Sequence, residues 1–186
     1  MKIIQARTDH VYIEKFQALP DQAWTILGAN RSGIDDFFNL VSGKSIDGTA
    51  AVKILPDHLG VVSFKDQQAV YESELKKDQT DVMDRPDPGT PARDFLKNID
   101  AHAGLIQALG MTDSLDKGYR QLSTGQSRKL LLLAAITKAA TCLVIQSPFD
   151  GLDPESCKEL DNAMFQLFSK GIQTLIFVCN PADMPS

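Results

Sequence analysis

The chain is poor in the residues that build metal centres and covalent cross-links. It carries 3 Cys and 3 His in 186 residues, and Cys142, Cys157 and Cys179, like His10, His58 and His102, lie too far apart for any paired-ligand spacing. Zinc-finger and disulfide-framework classes are thereby excluded, no metal site is expected, and free thiols in a reducing compartment are the expectation. Long apolar runs are also missing. The longest uninterrupted one, Leu130 to Ile136, is far short of the ~20 residues that a membrane helix needs. The N-terminal stretch Met1 to Arg7 turns polar before a signal-like segment can develop. Positive charge is in deficit as well: the net charge is -5 and the pI near 5.1, against a nucleic-acid partner, since phosphate neutralisation needs a concentrated basic surface. The densest basic pairs, Lys76-Lys77 and Arg128-Lys129, read as solvated helix faces. The expected location is the cytoplasm, at most peripheral to a membrane.

What is present is a hydrophobic content of 43%, enough for one globular domain with a lobe. Residues 2–7, 10–16 and 23–27 read as strands, 32–42 as a helix, and 51–55 and 59–64 as further strands. From Asp66 a polar helix runs to about Lys77. The proline-rich stretch Asp84 to Pro91 then interrupts regular structure, and helical periodicity resumes through Phe95, Ile99, Leu105 and Leu109. The last third predicts a helix at Ser127 to Lys138, a strand at Cys142 to Gln146, a helix at Pro154 to Lys170 and a strand at Gln173 to Cys179. Alternating strands and helices imply crossover units and a parallel sheet, so the fold class is α/β. The chain stops at Pro181 to Ser186 directly after a strand, and a piece of a longer polypeptide is expected.

Two stretches invite a chemical reading. Gly28-Ala29-Asn30-Arg31-Ser32-Gly33-Ile34-Asp35 follows an apolar strand and opens a helix, the setting of a phosphate-binding loop; an ordinary glycine turn explains the same residues equally well. Gln121-Leu122-Ser123-Thr124-Gly125-Gln126-Ser127-Arg128-Lys129 opens another helix. About twenty residues on, the apolar strand Cys142-Leu143-Val144-Ile145 is followed by Gln146-Ser147-Pro148-Phe149-Asp150-Gly151-Leu152-Asp153.

In these residues, their order and their spacing, the chain resembles the ATP-binding domains of the ABC superfamily over nearly its whole length. Leu122 to Gln126 looks like the signature motif, Cys142 to Ser147 occupies the Walker B segment, and Gly151-Leu152-Asp153 resembles the D-loop. The Leu-Ser-Thr-Gly variant with a following Arg-Lys, Val62-Ser63-Phe64 before Gln67-Gln68, and the phrase Ser147 to Asp153 look most like the N-terminal half of tandem molybdate-associated ABC proteins, also labelled photorepair proteins. The resemblance implies a P-loop core with a mostly parallel sheet, an N-terminal antiparallel β region and a helical subdomain. In residue numbers it implies one domain, 1–186, with a core lobe of about 1–67 and 139–186 and a helical subdomain of about 68–138, lacking the usual C-terminal elements. It also implies a Q-loop at Gln67 or Gln68.

Set against that family pattern, the catalytic positions depart together. An active phosphate loop cradles phosphates with backbone N–H groups, neutralises them with Lys and ligates magnesium through a hydroxyl; here those two side chains are Ile34 and Asp35. Two unit charges about 4 Å apart interact by roughly 4 kcal/mol at an effective dielectric near 20, so a lost attraction and a gained repulsion amount to several powers of ten in affinity. Gln146 and Ser147 stand where the family has a magnesium-binding Asp and a Glu base. Asn180 stands at the switch His, and near Gln5 no adenine-stacking aromatic occurs. On this reading no residue of the chain is catalytic, and Gly28, Asn30, Ser32, Gly33 and Gln67 are weak or vestigial contacts.

The signature differs. Ser123, Thr124, Gly125 and Gln126 offer a hydroxyl, small-residue amides and a helix's positive end, suited to a γ-phosphate, although a serine N-cap with a glycine turn reads as well from these residues. Asp153 likewise reads as a D-loop residue and as the N-cap before Pro154. The leading expectation is an inactive ABC domain that meets ATP and magnesium only through a partner's site. Its partner would be a second ABC domain, expected to be the C-terminal half of the same polypeptide in a head-to-tail pair, with separate membrane subunits if transport is involved. The alternatives are an interaction module that binds no nucleotide at either face, and a working ATPase with displaced catalytic groups.

Overall fold

A computed structural model describes residues 1–29, 31–78 and 86–185; Asn30, Asp84 and Arg85 among the residues singled out above lie outside them. The described strands form two sheets. β1 (Lys2–Thr8) pairs antiparallel with β2 (Tyr12–Gln17) on one side, and with the short β4 (Gly48–Thr49) and β5 (Val52–Ile54) on the other. The second sheet is parallel, in the order β3 (Ala23–Leu27), β8 (Gln173–Val178), β7 (Cys142–Gln146), β6 (Leu59–Val62). The architecture is α/β, with a parallel sheet and an N-terminal antiparallel region as expected, and it is consistent with an ABC-type P-loop core.

Alternation along the central strands explains how this sheet organises the molecule. Successive side chains point to opposite faces, and β7 is apolar from Cys142 to Ile145 and β8 from Leu175 to Val178 because both faces are covered. Leu143, Ile145, Ile176 and Val178 join one apolar cluster that continues into Leu105, Leu109, Leu130, Leu133 and Met164. Cys142, Val144, Leu175 and Phe177 join another with Ile3, Ala6, Ile34, Phe38 and Val41. Edge-to-face ring contacts tie the second cluster across three elements: Phe16 of β2 meets Phe37 at 5.0 Å, and Phe37 and Phe38 of α1 (Ile34–Val41) meet Phe177 of β8 at 5.4 and 5.5 Å. Each such pair adds about 0.5–1.5 kcal/mol beyond simple burial, so the start of α1 is fixed from both sheets.

The middle of the chain is more broken than its periodicity predicts. α2 runs Phe64–Lys76, capped by Ser63, whose Oγ accepts from the Asp66 N–H at 3.2 Å. Phe95 to Leu109 is not one helix: it consists of 3-10 turns at Ala92–Phe95 and Ile99–His102 followed by a short α3 (Ala103–Ala108). Leu96 is extended and Asn98 has φ +48, and neither conformation continues a helix. The apolar period still serves its purpose, since Leu96, Leu105, Ile106 and Leu109 are all buried. The segment is tied back to α2 by Glu74, buried at 1% exposure, which accepts from the Thr90 N–H at 2.7 Å, the Thr90 hydroxyl at 3.0 Å and Lys77 at 2.7 Å.

α4 (Thr124–Thr137) starts three residues before the predicted Ser127, because Ser123 is its N-cap. α5 is Pro154–Ser169. The expectation that Arg128 and Lys129 form a solvated face is overturned: both are 4% exposed. Lys129 is ion-paired with Glu159 of α5, and Arg128 is hydrogen-bonded to backbone carbonyls. The reason is that α4 is covered on nearly all sides, so its charged residues find partners inside. Of the three free cysteines only Cys142 is buried; Cys157 is half-buried and Cys179 exposed. Among the described residues no helix is long and apolar enough to cross a membrane.

Candidate functional site

The four parallel strands deliver their carboxyl ends to one edge of the sheet, where open α/β sheets place ligands. In register, Leu27 lies beside Val178, Phe177 beside Gln146, and Ile145 beside Val62. The turns that follow bring Gly28, Cys179-Asn180, Ser147 and Ser63 to that edge.

The loop after β3 has the shape of a tight strand-to-helix turn, and its glycines are sterically required. A Cβ on Gly28 would lie 2.7 Å from Ser32 Oγ and 3.0 Å from Ile34 Cβ. Gly33 sits at φ +84, and its Cβ would lie 2.6 Å from the His10 carbonyl oxygen. Ser32 donates its N–H to the Ala29 carbonyl at 3.0 Å, and Gly28 donates to Val178 at 3.1 Å. Ile34 is only 6% exposed and belongs to the Phe38–Val144–Phe177 cluster. Asp35 points out, and its Oδ1 accepts from Gln146 Nε2 at 2.7 Å. The two residues that depart from the family pattern at the loop and at the end of β7 therefore bond to each other directly.

Electrostatics at this edge are dominated by carboxylates. Asp35 and Asp36 both lie in the first turn of α1, where they offset the positive end of the helix. Asp36 Oδ2 accepts from Thr8 Oγ1 at 2.5 Å and lies 3.1 Å from His10 Nδ1; the Thr8 bond is the main reason its carboxyl is held below the usual range. His10, Arg31, Gly33, Asp35 and Asp36 line a cleft of about 360 Å³. The Cys179 thiol at the same edge is pushed up by burial and then by the negative charges of Asp35, Asp150 and Asp183.

The remaining expected positions are engaged locally. Ser147 has φ +46 and donates its N–H to Phe177 at 2.8 Å. Asn180 Oδ1 accepts from the Ala182 N–H at 3.1 Å, capping the turn Pro181–Asp183. Gln67 lies in the first turn of α2 rather than in an open loop; its Nε2 donates to the Thr124 carbonyl at 3.1 Å, and its own carbonyl accepts from Tyr119 at 3.3 Å. Gln68 is exposed and donates to Glu72. Gln5 is exposed at φ +48, and Tyr12, across the strand pair beside Arg7, is 62% exposed.

The start of α4 forms a second group. Ser123 Oγ accepts from the Gln126 N–H at 3.2 Å while Gln126 Oε1 accepts from the Ser123 N–H at 3.0 Å, a reciprocal capping box. The bond uses the hydroxyl as an acceptor and leaves its proton to be donated elsewhere, so the cap and a phosphate contact are compatible. Gln126 is turned inward, its Nε2 donating to Ser114 at 3.1 Å. Thr124 is exposed and Gly125 buried, both in the first turn, whose N–H groups lack intrahelical acceptors. Gly125 abuts the start of α5: a Cβ there would lie 3.1 Å from Ser156 Oγ and 3.4 Å from Leu152 Cδ2. Asp153 caps α5, accepting from the N–H groups of Ser156 at 2.9 Å and Glu155 at 3.1 Å, and the Ser156 bonds are the main cause of its lowered pKa.

No family model matches the chain. Among curated proteins it is 29% identical over 169 residues, 87% of its length, to the ABC transporter ATP-binding protein ModF of Escherichia coli. It is 24% identical over 160 residues, 83% of its length, to the uncharacterized ABC transporter ATP-binding protein YhaQ of Bacillus subtilis. It is 28% identical over 137 residues, 71% of its length, to the energy-coupling factor transporter ATP-binding protein EcfA2 of Bacillus subtilis. Over most of its length the chain is similar to ABC ATP-binding proteins, which supports an ABC-type ATP-binding domain. It spans 34%, 52% and 46% of those three relatives, respectively.

The sequence marks Ile34, Asp35 and Gln146 separately but does not show that the last two meet. The signal was available: one departure adds a carboxylate acceptor and the other an amide donor. It also gives no sign of His10, Thr8 and Asp36, which no motif marks, or of the burial of Arg128. Among the described residues no group of three or more His, Cys, Asp or Glu is placed to hold a metal ion.

Proposed function

We propose that this ABC domain does not turn over ATP in its own pocket and instead supplies signature and D-loop contacts to a competent partner domain. The observation that carries the reading is the fate of the loop: Ile34 is buried in the core, and Asp35 is bonded to Gln146. Magnesium triphosphate calls for an ammonium, a hydroxyl and an anionic metal ligand at these positions. The residues present offer a sec-butyl side chain, a carboxylate and an amide, which do not fit that ligand. The start of α4, by contrast, keeps the small residues, the hydroxyl and the helix end that suit a phosphate.

On this reading the chain is one nucleotide-binding-type domain, with a core lobe of about 1–67 and 139–186 and a helical subdomain of about 68–138. The sequence resemblance to tandem molybdate-associated proteins supports a head-to-tail partner in the same polypeptide and a molybdate-related transport role through separate membrane subunits. The test is to mix this chain with the ABC domain encoded beyond or beside it that keeps the loop lysine and the Walker B acids. ATP-dependent association and a rise in turnover, both absent when Ser123 is replaced by Phe, are the expected results. Turnover by this chain alone, or full stimulation by the Ser123→Phe variant, refutes the proposal.

A further inference from the structure

We infer that Arg128 is a positioning residue that fastens the signature segment and the Gly151–Asp153 loop into one contact face; its functional arm rests on the partner-completion reading above. Arg128 is on α4, one turn beyond Gly125, and is 4% exposed. Its Nη1 donates to three backbone carbonyls in the turn after β7: Ser147 at 3.1 Å, Pro148 at 3.2 Å and Asp150 at 2.6 Å. A guanidinium spent on main-chain carbonyls is a fixture for that main chain, because bonds from a charged donor are about twice as strong as neutral ones.

The turn it holds needs holding. Ser147 sits at φ +46, a conformation that non-glycine residues adopt at a cost. The turn's own bond, from the Asp150 N–H to the Ser147 carbonyl, is long at 3.3 Å, and Gly151 at φ +71 follows with no Cβ neighbour within 4 Å. On the far side of this turn, Leu152 and Ser156 press against Gly125. The contact at Gly125 and the bonds at Arg128 thus clamp the two candidate partner-facing segments at two points. Removing Arg128 takes the charged donor from the Pro148 and Asp150 carbonyls and leaves the Ser147 carbonyl with the long Asp150 bond, while the capping box of α4, made by Ser123 and Gln126, stays intact.

The experiment compares Arg128→Met and Arg128→Lys with the unaltered chain by amide hydrogen exchange and by stimulation of the neighbour-encoded ABC domain. Arg128→Met should raise exchange at Ser147 and Asp150 at least tenfold with Leu143 to Ile145 unchanged. It should also lower the partner's stimulated kcat at least fivefold with the KM for ATP within twofold. Arg128→Lys keeps the charge with a shorter reach and should fall between the two; it carries the test if Arg128→Met does not fold. Exchange and kcat of Arg128→Met, or of Arg128→Lys in that case, indistinguishable from the unaltered chain overturn the inference. If the unaltered chain stimulates no partner, the partner-completion reading fails, and the exchange comparison still decides whether Arg128 fixes the turn.

Discussion

Replacing Asp35 by asparagine removes one negative charge from the cleft and keeps an oxygen that can accept from Gln146 Nε2, so it isolates electrostatics from shape. A unit charge about 5 Å from a phosphate oxygen is worth about 0.8 kcal/mol per unit charge in water and about 3 kcal/mol at an effective dielectric of 20. Asp35 is exposed, and solvent screening favours the lower part of that range. A gain of about 1–2 kcal/mol, or roughly 5- to 30-fold in affinity for ATP, is expected from Asp35→Asn. Adding Ile34→Lys contributes an attraction of similar size, but it removes a side chain that is 6% exposed and costs about 2–5 kcal/mol of folding stability. The assay is titration with a fluorescent ATP analogue at 50 and 500 mM salt, on protein whose melting temperature is checked in parallel. The gain should shrink at high salt, where the Debye length falls to about 4 Å. Micromolar binding by the unaltered chain refutes the reasoning, and so does an Asp35→Asn affinity that does not change or whose change ignores salt.

Further perturbations probe other parts of the molecule. Gly33→Ala forces a Cβ to within 2.6 Å of the His10 carbonyl at φ +84 and should cost about 1–3 kcal/mol, read as a melting temperature lower by about 2–10 °C. Gly125→Leu should abolish stimulation of a partner domain, since even a methyl group there meets Ser156 at 3.1 Å; normal stimulation would contradict the face described for α4. Burial pushes the Glu74 carboxyl up, but its bonds from Lys77 and Thr90 outweigh this and hold it below the ordinary 4.5. The stabilisation it brings is therefore full above pH 4.5 and lost as the pH falls further through its folded-state value, so Glu74→Gln should flatten the acid limb of a stability–pH curve.

How much of this was legible beforehand follows from the range of the interactions. β7 and β8 announce themselves as continuous apolar runs because both their faces are buried, and Gly-containing turns with Pro154 mark where helices start. The Asp35–Gln146 bond spans 111 positions and carries no local signature. Arg128 and Lys129 look like any charged helix face until Glu159 and the turn after β7 arrive from later in the chain. Phe95 to Leu109 shows a helical period although only a short helix forms, because apolar spacing reports which residues are buried and not whether the backbone between them is regular. The capping box at Ser123 was readable as either a cap or a ligand contact, and its geometry is compatible with both.

The uneven exposure of the thiols offers a practical handle. Cys142 is sealed in the core and pushed up to about 12 by burial, whereas Cys179 stands in the open at the carboxyl edge of the sheet. A maleimide dye on Cys179, with Cys157 changed to serine, would report from the sheet edge within reach of the Asp35 charge, and its reaction rate would gauge the local negative field, slowing wherever acidic neighbours keep the sulfur protonated.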